Sequence, residues 1–344
     1  MADSPAVRSG EPVQTPHGTI VVQVESASGG RRFAFRAAVL LLVLSVLLNL
    51  VQWGLSYVYS PPAIPELFHS GVAGAADRIA VIPIEGTITP PFTARWMRQL
   101  DQAESDDSVR GVVLLIDSPG GLVADSNQLY RRVRQLVESK PVAVSMKRIT
   151  ASGGYYMAMG VGEKGRIFAE PTTWTGSIGV IIPRYNAAEL AGNIGVTVDP
   201  LKTGPFKDAL NPFRDLSPEE RQVWDAILKD SYDRFVQVIT DGRSELTEPE
   251  VRELATGQIY TANQALASGM IDEVGYLEDA VDALAKELQL SEFEAFEYRS
   301  TPGLLDLLLG AQASVETSPL DALLESTVPR AMYYCSWNPW VPAR

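Results

Sequence analysis

Cysteine and histidine are nearly absent from this 344-residue chain, which holds one cysteine, Cys335, and two histidines, His17 and His69. A single cysteine excludes an intramolecular disulfide and any cysteine-based metal cluster. Both histidines lie outside the stretch whose pattern reads as folded. That excludes a Ser-His-Asp triad in the globular region and most zinc sites. Positive charge is short as well, with 29 Lys and Arg against 42 Asp and Glu, for a formal net charge of -13. Such a balance argues against nucleic acid, whose phosphates need a basic face. No internal duplication is visible, because DSPGG and ASGG each occur once. A hydrolytic site in this chain therefore needs a base other than histidine, and lysine, Asp, Glu and Tyr remain.

What is present begins with membrane chemistry. Residues 1–36 read as a disordered cytoplasmic tail, polar and rich in Ser, Gly and Pro before Arg31, Arg32 and Arg36. From Ala37 to Tyr59 the chain carries no formal charge, and that length matches the roughly 20 residues a spanning helix needs. Trp53, Tyr57 and Tyr59 cluster at its far end, suited to the lipid–water boundary, and the arginines on the near side place the N-terminus in the cytoplasm. A single-pass cell-membrane anchor with an extracytoplasmic remainder is expected. The small residues at 72–76 lie too far beyond the apolar run to serve as a signal cleavage site. Residues 60–77, with Pro61, Pro62 and Pro65, read as a linker.

Beyond it, short Val- and Ile-rich runs alternate with helical patterns through about residue 290. The expected strands are Ile79–Ile84, Gly111–Ile116, Pro141–Met146, Ile178–Ile182 and Val196–Val198. Asn127–Val137 and Pro218–Ile239 are the clearest helices, the latter opened by Ser217, Pro218, Glu219 and Glu220. This alternation indicates an α/β fold with parallel pairing and flanking helices. Residues 291–344 form a C-terminal extension with two apolar stretches, Leu304–Leu309 and Leu320–Leu324, and no assignable motif. Its plainest reading is a strap packed on its own domain or on a neighbour, with occlusion of a site as a further option.

Two glycine-rich strand ends carry the candidate chemistry. Asp117-Ser118-Pro119-Gly120-Gly121 follows an apolar strand and frees backbone N–H groups in one concavity. Ala151-Ser152-Gly153-Gly154 puts a serine at a strand-to-helix turn, where helix N–H groups favour developing negative charge. Each has an ordinary alternative, a tight turn for the first and a helix N-cap for the second. Together, at one edge of a parallel sheet, one turn can supply oxyanion donors and the other a nucleophile. Of seven lysines, Lys202 and Lys207 are the candidate bases. A lysine base must be neutral, against a reference pKa of about 10.4, and apolar surroundings favour that. Lys207, between Phe206 and a run reaching Phe213, is preferred to Lys202, although the adjacent Asp208 opposes the neutral form.

The segments DSPGG, KPVAVSM, ASGGYYMA, TGSIGV and KTGPFKDALNPFRDLSPEE, in that order over residues 78–290, resemble the signal peptide peptidase A family. These are serine proteases of the Clp-protease/crotonase-like superfamily. The resemblance implies a parallel sheet with flanking helices, here behind one transmembrane helix. It puts Ser152 on the nucleophile, Lys207 on the lysine base and Ser177 on the serine that orients that lysine. Gly120, Gly121 and Gly153 fall on the oxyanion segments. The implied activity is cleavage of remnant signal peptides and other membrane-associated peptides by a Ser-Lys dyad, with no metal or organic cofactor. A single-copy chain is expected to form a homo-oligomeric ring with active sites shared between neighbours, and its partners are peptide substrates and the lipid bilayer. Two departures stand out. Lys147-Arg148 replaces small residues before the nucleophile turn, where two cations would narrow the cleft or favour acidic substrate ends. Gly162-Glu163-Lys164-Gly165 lengthens the spacing from Ser152 to Ser177. The rival readings are a crotonase-type acyl-CoA enzyme, a related protease of integral membrane proteins, and a catalytically silent membrane scaffold.

Overall fold

The computed structural model describes residues 14–15, 18–19, 28–59, 64–299 and 332–334. Most of the N-terminal tail with His17, part of the linker, and residues 300–331 and 335–344 of the C-terminal extension, including Cys335 and both its apolar stretches, lie outside the described residues, whereas residues 294–298 of that extension form a strand of the main sheet. The chain divides into two compact units, Met1–Ala63 and Ile64–Arg344.

The first unit holds a two-residue hairpin, β1 (Gln14–Thr15) with β2 (Gly18–Thr19), and helix α1 (Ser28–Tyr59). Within α1, Phe33–Gln52 has a mean hydropathy of 2.4 over 20 residues. At 1.5 Å per residue such a stretch spans about 30 Å, the thickness of a bilayer core. Its apolar side chains, Leu40, Leu41, Leu42 and Leu48 among them, are exposed.

The second unit begins with β3 (Glu66–Gly71) and β4 (Arg78–Glu85), followed by α2 (Pro90–Ser105), β5 (Val109–Ser118), β6 (Gly120–Leu122) and α3 (Val123–Val137). Next come β7 (Val142–Ala151), α4 (Gly153–Ala158), a 3-10 turn at Met159–Lys164, β8 (Ile167–Ala169), β9 (Trp174–Gly176) and α5 (Ala188–Asn193). The order closes with α6 (Pro218–Gly242), α7 (Glu248–Leu254), β10 (Ile259–Thr261), α8 (Ala262–Ala267), β11 (Glu273–Val274), α9 (Leu277–Glu287), β12 (Glu294–Tyr298) and β13 (Met332–Tyr334).

The main sheet runs β10-β9-β7-β5-β4-β12-β3, with β8 also against β7 and β11 against β8. Strands β4, β5, β7 and β12 are mutually parallel where they pair, joined by helical crossovers, and β3 closes the edge antiparallel to β12. Because successive strand side chains point to opposite faces, the apolar runs feed two cores. Ile82, Leu114, Val144 and Met146 pack with Trp96, Leu129 and Tyr156 on one face. Val81, Val113, Leu115 and Ala143 pack with Val281 and Leu284 of α9 on the other.

Three expectations change. Residues 66–71, expected in a linker, form the edge strand β3, because β12 leaves an unpaired backbone edge that they satisfy. His69 consequently belongs to the folded unit. It sits four strand positions from β7, roughly 19 Å at normal strand spacing, which still excludes it from a triad with a residue on the β7 turn. Ile178–Ile182 and Val196–Val198 form no ladder, and only Ile181 makes a bridge, to Met332. The edges of β7 are already taken by β5 on one side and by β8 and β9 on the other. Ile181, Val196 and Val198 of those stretches are exposed.

Candidate active site

Strand β7 ends at Ala151 and α4 begins at Gly153, so Ser152 is the turn itself, with φ 55° and ψ -116°. A non-glycine residue there carries strain of about 1–3 kcal/mol, and the surroundings hold it in place. The Ser152 N–H donates to the Gly176 carbonyl at 2.7 Å, and its own carbonyl accepts from Tyr156 at 2.8 Å. Helix α4 is buried throughout and anchored by two phenols, Tyr155 donating to the Met270 carbonyl at 2.9 Å and Tyr156 to Asn127 Oδ1 at 2.8 Å. Burial pushes the Tyr155 hydroxyl well above its ordinary range, so it remains a donor. Ser152 is 1% exposed, and its Oγ has no hydrogen-bond partner among the described residues. The serine is thus not acting as a side-chain N-cap, and a buried hydroxyl without a partner is a costly arrangement to keep.

The two glycine-rich turns meet here. A Cβ placed on Gly120 (φ 96°) would fall 2.6 Å from the Gly153 nitrogen and 3.1 Å from Ser152 Cβ. One placed on Gly153 would fall 3.2 Å from the Gly121 nitrogen. The Gly120 N–H is itself engaged, donating to Ser118 Oγ at 3.1 Å. Gly153 occupies the first position of α4, where a backbone N–H has no acceptor within its own helix. Leu122 N–H and Gly120 C=O bond to Ile88, so by strand alternation Gly121 faces the other way. Gly121 thus turns its N–H toward the side where Tyr333 of residues 332–334 pairs with it, Gly153 has its N–H at the helix start, and Gly120 leaves room where a side chain would clash.

On that open side lies β13. Tyr333 pairs with Gly121 in an antiparallel register, and Met332 exchanges two 3.0 Å hydrogen bonds with Ile181. The C-terminal segment is therefore the middle strand of a small clamp, and a Gly120 Cβ would lie 2.1 Å from the Tyr333 carbonyl oxygen. The Tyr333 ring is fully buried, stacked on Tyr156 at 4.9 Å and tilted against Phe235 at 4.6 Å, with its hydroxyl donating to the Ser231 carbonyl at 2.7 Å. A cavity of about 590 Å³ opens beside it, lined by Leu122, Val123, Tyr156 and Arg234.

Comparison with known proteins assigns the chain. Residues 134–291 match the model of peptidase family S49, and residues 70–175 match that of Clp protease. A putative signal peptide peptidase SppA of Enterococcus faecium is 36% identical over 252 residues, covering 70% of this chain and 72% of that protein. The chain belongs to peptidase family S49. The putative protease slr0021 of Synechocystis is 39% identical over 203 residues, covering 59% of this chain and 72% of that protein. Protease 4 of Salmonella typhi is 30% identical over 232 residues, covering 67% of this chain but 37% of that longer protein. Family membership makes the protein a serine peptidase with a Clp-protease-like α/β fold, and peptides its substrate class. The apolar helix at its N-terminus fits membrane anchoring.

Within that family frame, Ser177 lies close to the nucleophile turn despite the lengthened spacing. Strands β7 and β9 pair with Ala151 opposite Gly176, so Ser177 follows next to Ser152, and it too has a positive φ, 49°. The Gly162–Gly165 excursion is absorbed in the 3-10 turn and its kink at Gly162. Lys207 lies in the turn-rich segment before α6, exposed, and its Nζ has no partner among the described residues. It is not hydrogen-bonded to Ser152 within this chain. Lys202 is committed elsewhere, its Nζ 2.6 Å from Asp208 Oδ1. The cations before the nucleophile are occupied as well. Arg148 Nε donates to Asp117 Oδ2 at 2.5 Å, and Lys147 lies 3.8 Å from Glu85. Sequence reasoning did not find the Asp117–Arg148 pair, the anchoring of Arg214 described below, or the docking of Tyr333. Asp117–Arg148 and Tyr333 join residues far apart in the chain, whereas the Arg214 contacts reach only six residues each way but across irregular turns, and only the start of α6 had a readable signal, in Ser217 and Glu220.

Proposed function

We propose that this S49 peptidase is a single-pass, membrane-anchored endopeptidase that cleaves remnant signal peptides and other membrane-associated peptides. In this reading Ser152 is the nucleophile, Lys207 the general base, Ser177 the residue that orients the lysine, and Gly121 and Gly153 the oxyanion donors. The observation that carries it is Ser152 itself: a strained serine, buried, with a free Oγ, at the meeting point of two glycine turns. The place of β13 supports an extended peptide bound between β6 and Ile181 by strand addition.

The chemistry follows from the groups. The Lys207 amine takes the Ser152 proton as Oγ bonds to the peptide carbonyl carbon, and the N–H groups of Gly121 and Gly153 hold the oxyanion. The C–N bond breaks, the lysine returns its proton to the leaving amine, and the acyl group stays on Ser152. Water, deprotonated by the same amine, then releases the acyl group as a carboxylic acid and restores the serine. Because only the neutral amine accepts a proton, activity rises toward alkaline pH.

Ser152 has no lysine partner in its own chain, and Lys207 projects from a segment with many exposed apolar side chains. Both facts favour a site completed by a neighbouring copy, with Lys207 delivered across a ring interface. The uncharged stretch behind Arg31, Arg32 and Arg36 favours an N-terminus in the cytoplasm and a catalytic unit outside it. The decisive experiment mixes two inactive variants, Ser152→Ala and Lys207→Ala. Each alone is expected to lose turnover, and a refolded mixture is expected to recover about a quarter of wild-type activity through sites that pair an intact serine with an intact lysine. Substantial turnover by either variant alone rejects the dyad. Inactive single variants whose mixture stays inactive reject the shared site.

A further inference from the structure

The segment around Lys207 has almost no backbone ladder to hold it, only isolated turns between Gly204 and Asn211. Side chains hold it instead, and they converge on Arg214. Its guanidinium donates to both Asp208 carboxylate oxygens at 3.0 Å and to the Asp208 carbonyl at 2.8 Å. From the other side it donates to Glu220 Oε2 at 2.8 Å, and Glu220 also closes the capping box at the start of α6 through the Ser217 N–H. Asp208 receives Lys202 Nζ at 2.6 Å besides. Arg184, from the strand-free stretch before α5, donates to the Asn211 and Arg214 carbonyls, and Asp215 accepts from Asn186. Among the described residues, the charged groups bonded into the segment are Lys202, Asp208, Arg214, Asp215, Glu220 and Arg184.

Asp208 is the residue after Lys207, and a carboxylate at that range stabilises a lysine's ammonium form. In the structure that carboxylate is turned to Arg214 and Lys202 and does not pair with Lys207. Hydrogen bonds from Arg214 and then Lys202 hold Asp208 far below the usual carboxylate range, so it remains an anion whose charge is matched locally. We propose that Arg214 is a positioning residue for the general base: gripping Asp208 and Glu220 together, it withholds the neighbouring carboxylate from Lys207 and leaves the amine free to accept the serine proton. This rests on the Ser152–Lys207 reading above. The same grip explains why Lys202 is unsuited to be the base, since it is the second cation that Asp208 needs.

The test is the pH dependence of kcat/KM on a soluble peptide, measured on the full chain in detergent. Arg214→Gln removes a nearby cation and frees Asp208, and both changes favour the ammonium. The alkaline rise is expected to move up by about one pH unit. Adding Asp208→Asn to Arg214→Gln is expected to return the profile to within a few tenths of a unit of wild type. If Arg214→Gln does not fold, Asp208→Asn alone serves. It removes the carboxylate beside the lysine, leaving Lys202 without that partner and Arg214 paired with Glu220 alone, and the rise is expected to move down. An unmoved profile in Arg214→Gln, a shift that Asp208→Asn does not reverse, or an unmoved profile in Asp208→Asn alone overturns the proposal. Lys207→Ala separates the two levels: activity there removes the dyad itself, whereas an inactive Lys207→Ala with unmoved Arg214 and Asp208 profiles overturns only the role given to Arg214.

Discussion

Around Ser152 the space is filled so tightly that single methyl groups matter. A Cβ on Gly153 would lie 2.4 Å from Ser126 Oγ, and one on Gly121 would lie 2.1 Å from the Ile88 carbonyl oxygen. The first obstacle is a side chain that can rotate away, whereas the second is backbone. Gly121→Ala is therefore expected to lower stability by about 1–3 kcal/mol, read as a drop in Tm by calorimetry, while Gly153→Ala keeps most of its Tm. Both are expected to lose peptidase activity, because each disturbs a proposed oxyanion donor. An active Gly153→Ala would count against that assignment. The Arg214 network makes a separate prediction. Its hydrogen bond to Glu220 lowers that carboxyl to about 2, and hydrogen bonds from Arg214 and Lys202 hold Asp208 well below the usual carboxylate range. A carboxylate depressed on folding contributes stability above its unfolded pKa and loses it as pH falls through the folded value. Protection factors in residues 202–216, the exchange rates corrected for the intrinsic pH dependence of amide exchange, are thus expected to hold down to about pH 4 and to fall between there and pH 2.

Between elements, the contact that sets the site is the seam of β5 with β7. The register shifts between Ile116 and Ser118, and Asp117 sits at that irregularity. Its carboxylate, 2% exposed, spans the seam by accepting from Arg148 Nε and from the Ile149 N–H at 3.3 Å. Arg148 itself is 81% exposed, so its attraction is screened and its value is chiefly geometric. Arg148→Met is expected to reduce kcat about tenfold with little change in KM, since it loosens the oxyanion turn relative to the nucleophile without touching the cleft strand. A raised KM with kcat little changed would point to a substrate contact instead. At the start of α6 both halves of the capping box are present, through Ser217 and Glu220. Ser217→Ala should cost about 1 kcal/mol, measurable as a shift of the urea midpoint.

For the whole molecule, the proposed strand addition makes β13 and an extended substrate competitors for one edge, that of β6. Tyr333 holds the segment there through its buried ring. Tyr333→Ala is expected to lower KM for a peptide substrate severalfold with kcat little changed, because the internal strand yields its place more readily. A raised KM would mean that the segment shapes the cleft more than it fills it.

Some of this was legible in the residues alone. Apolar runs at β4, β5 and β7, the start of α6 and the uncharged stretch within α1 declare themselves because burial, capping and bilayer length act on neighbouring residues. Ser152 and the two glycine turns were readable for the same reason, as was the scarcity of histidine. The edge strand β3 was not, since its backbone is satisfied by β12, more than two hundred residues on. Nor was the fate of Asp208, whose neighbour in sequence is Lys207 but whose partners in space are Arg214 and Lys202. The sequence by itself determined the layered α/β fold, the helix of membrane-spanning length and the candidate serine and lysines, because periodicity, charge and glycine placement are local properties. Only the tertiary structure decided that two glycine turns close on one strained serine, that residues 332–334 pair along β6, and that Lys207 has no partner among the described residues, because each depends on which backbone edges and charges the fold brings within reach.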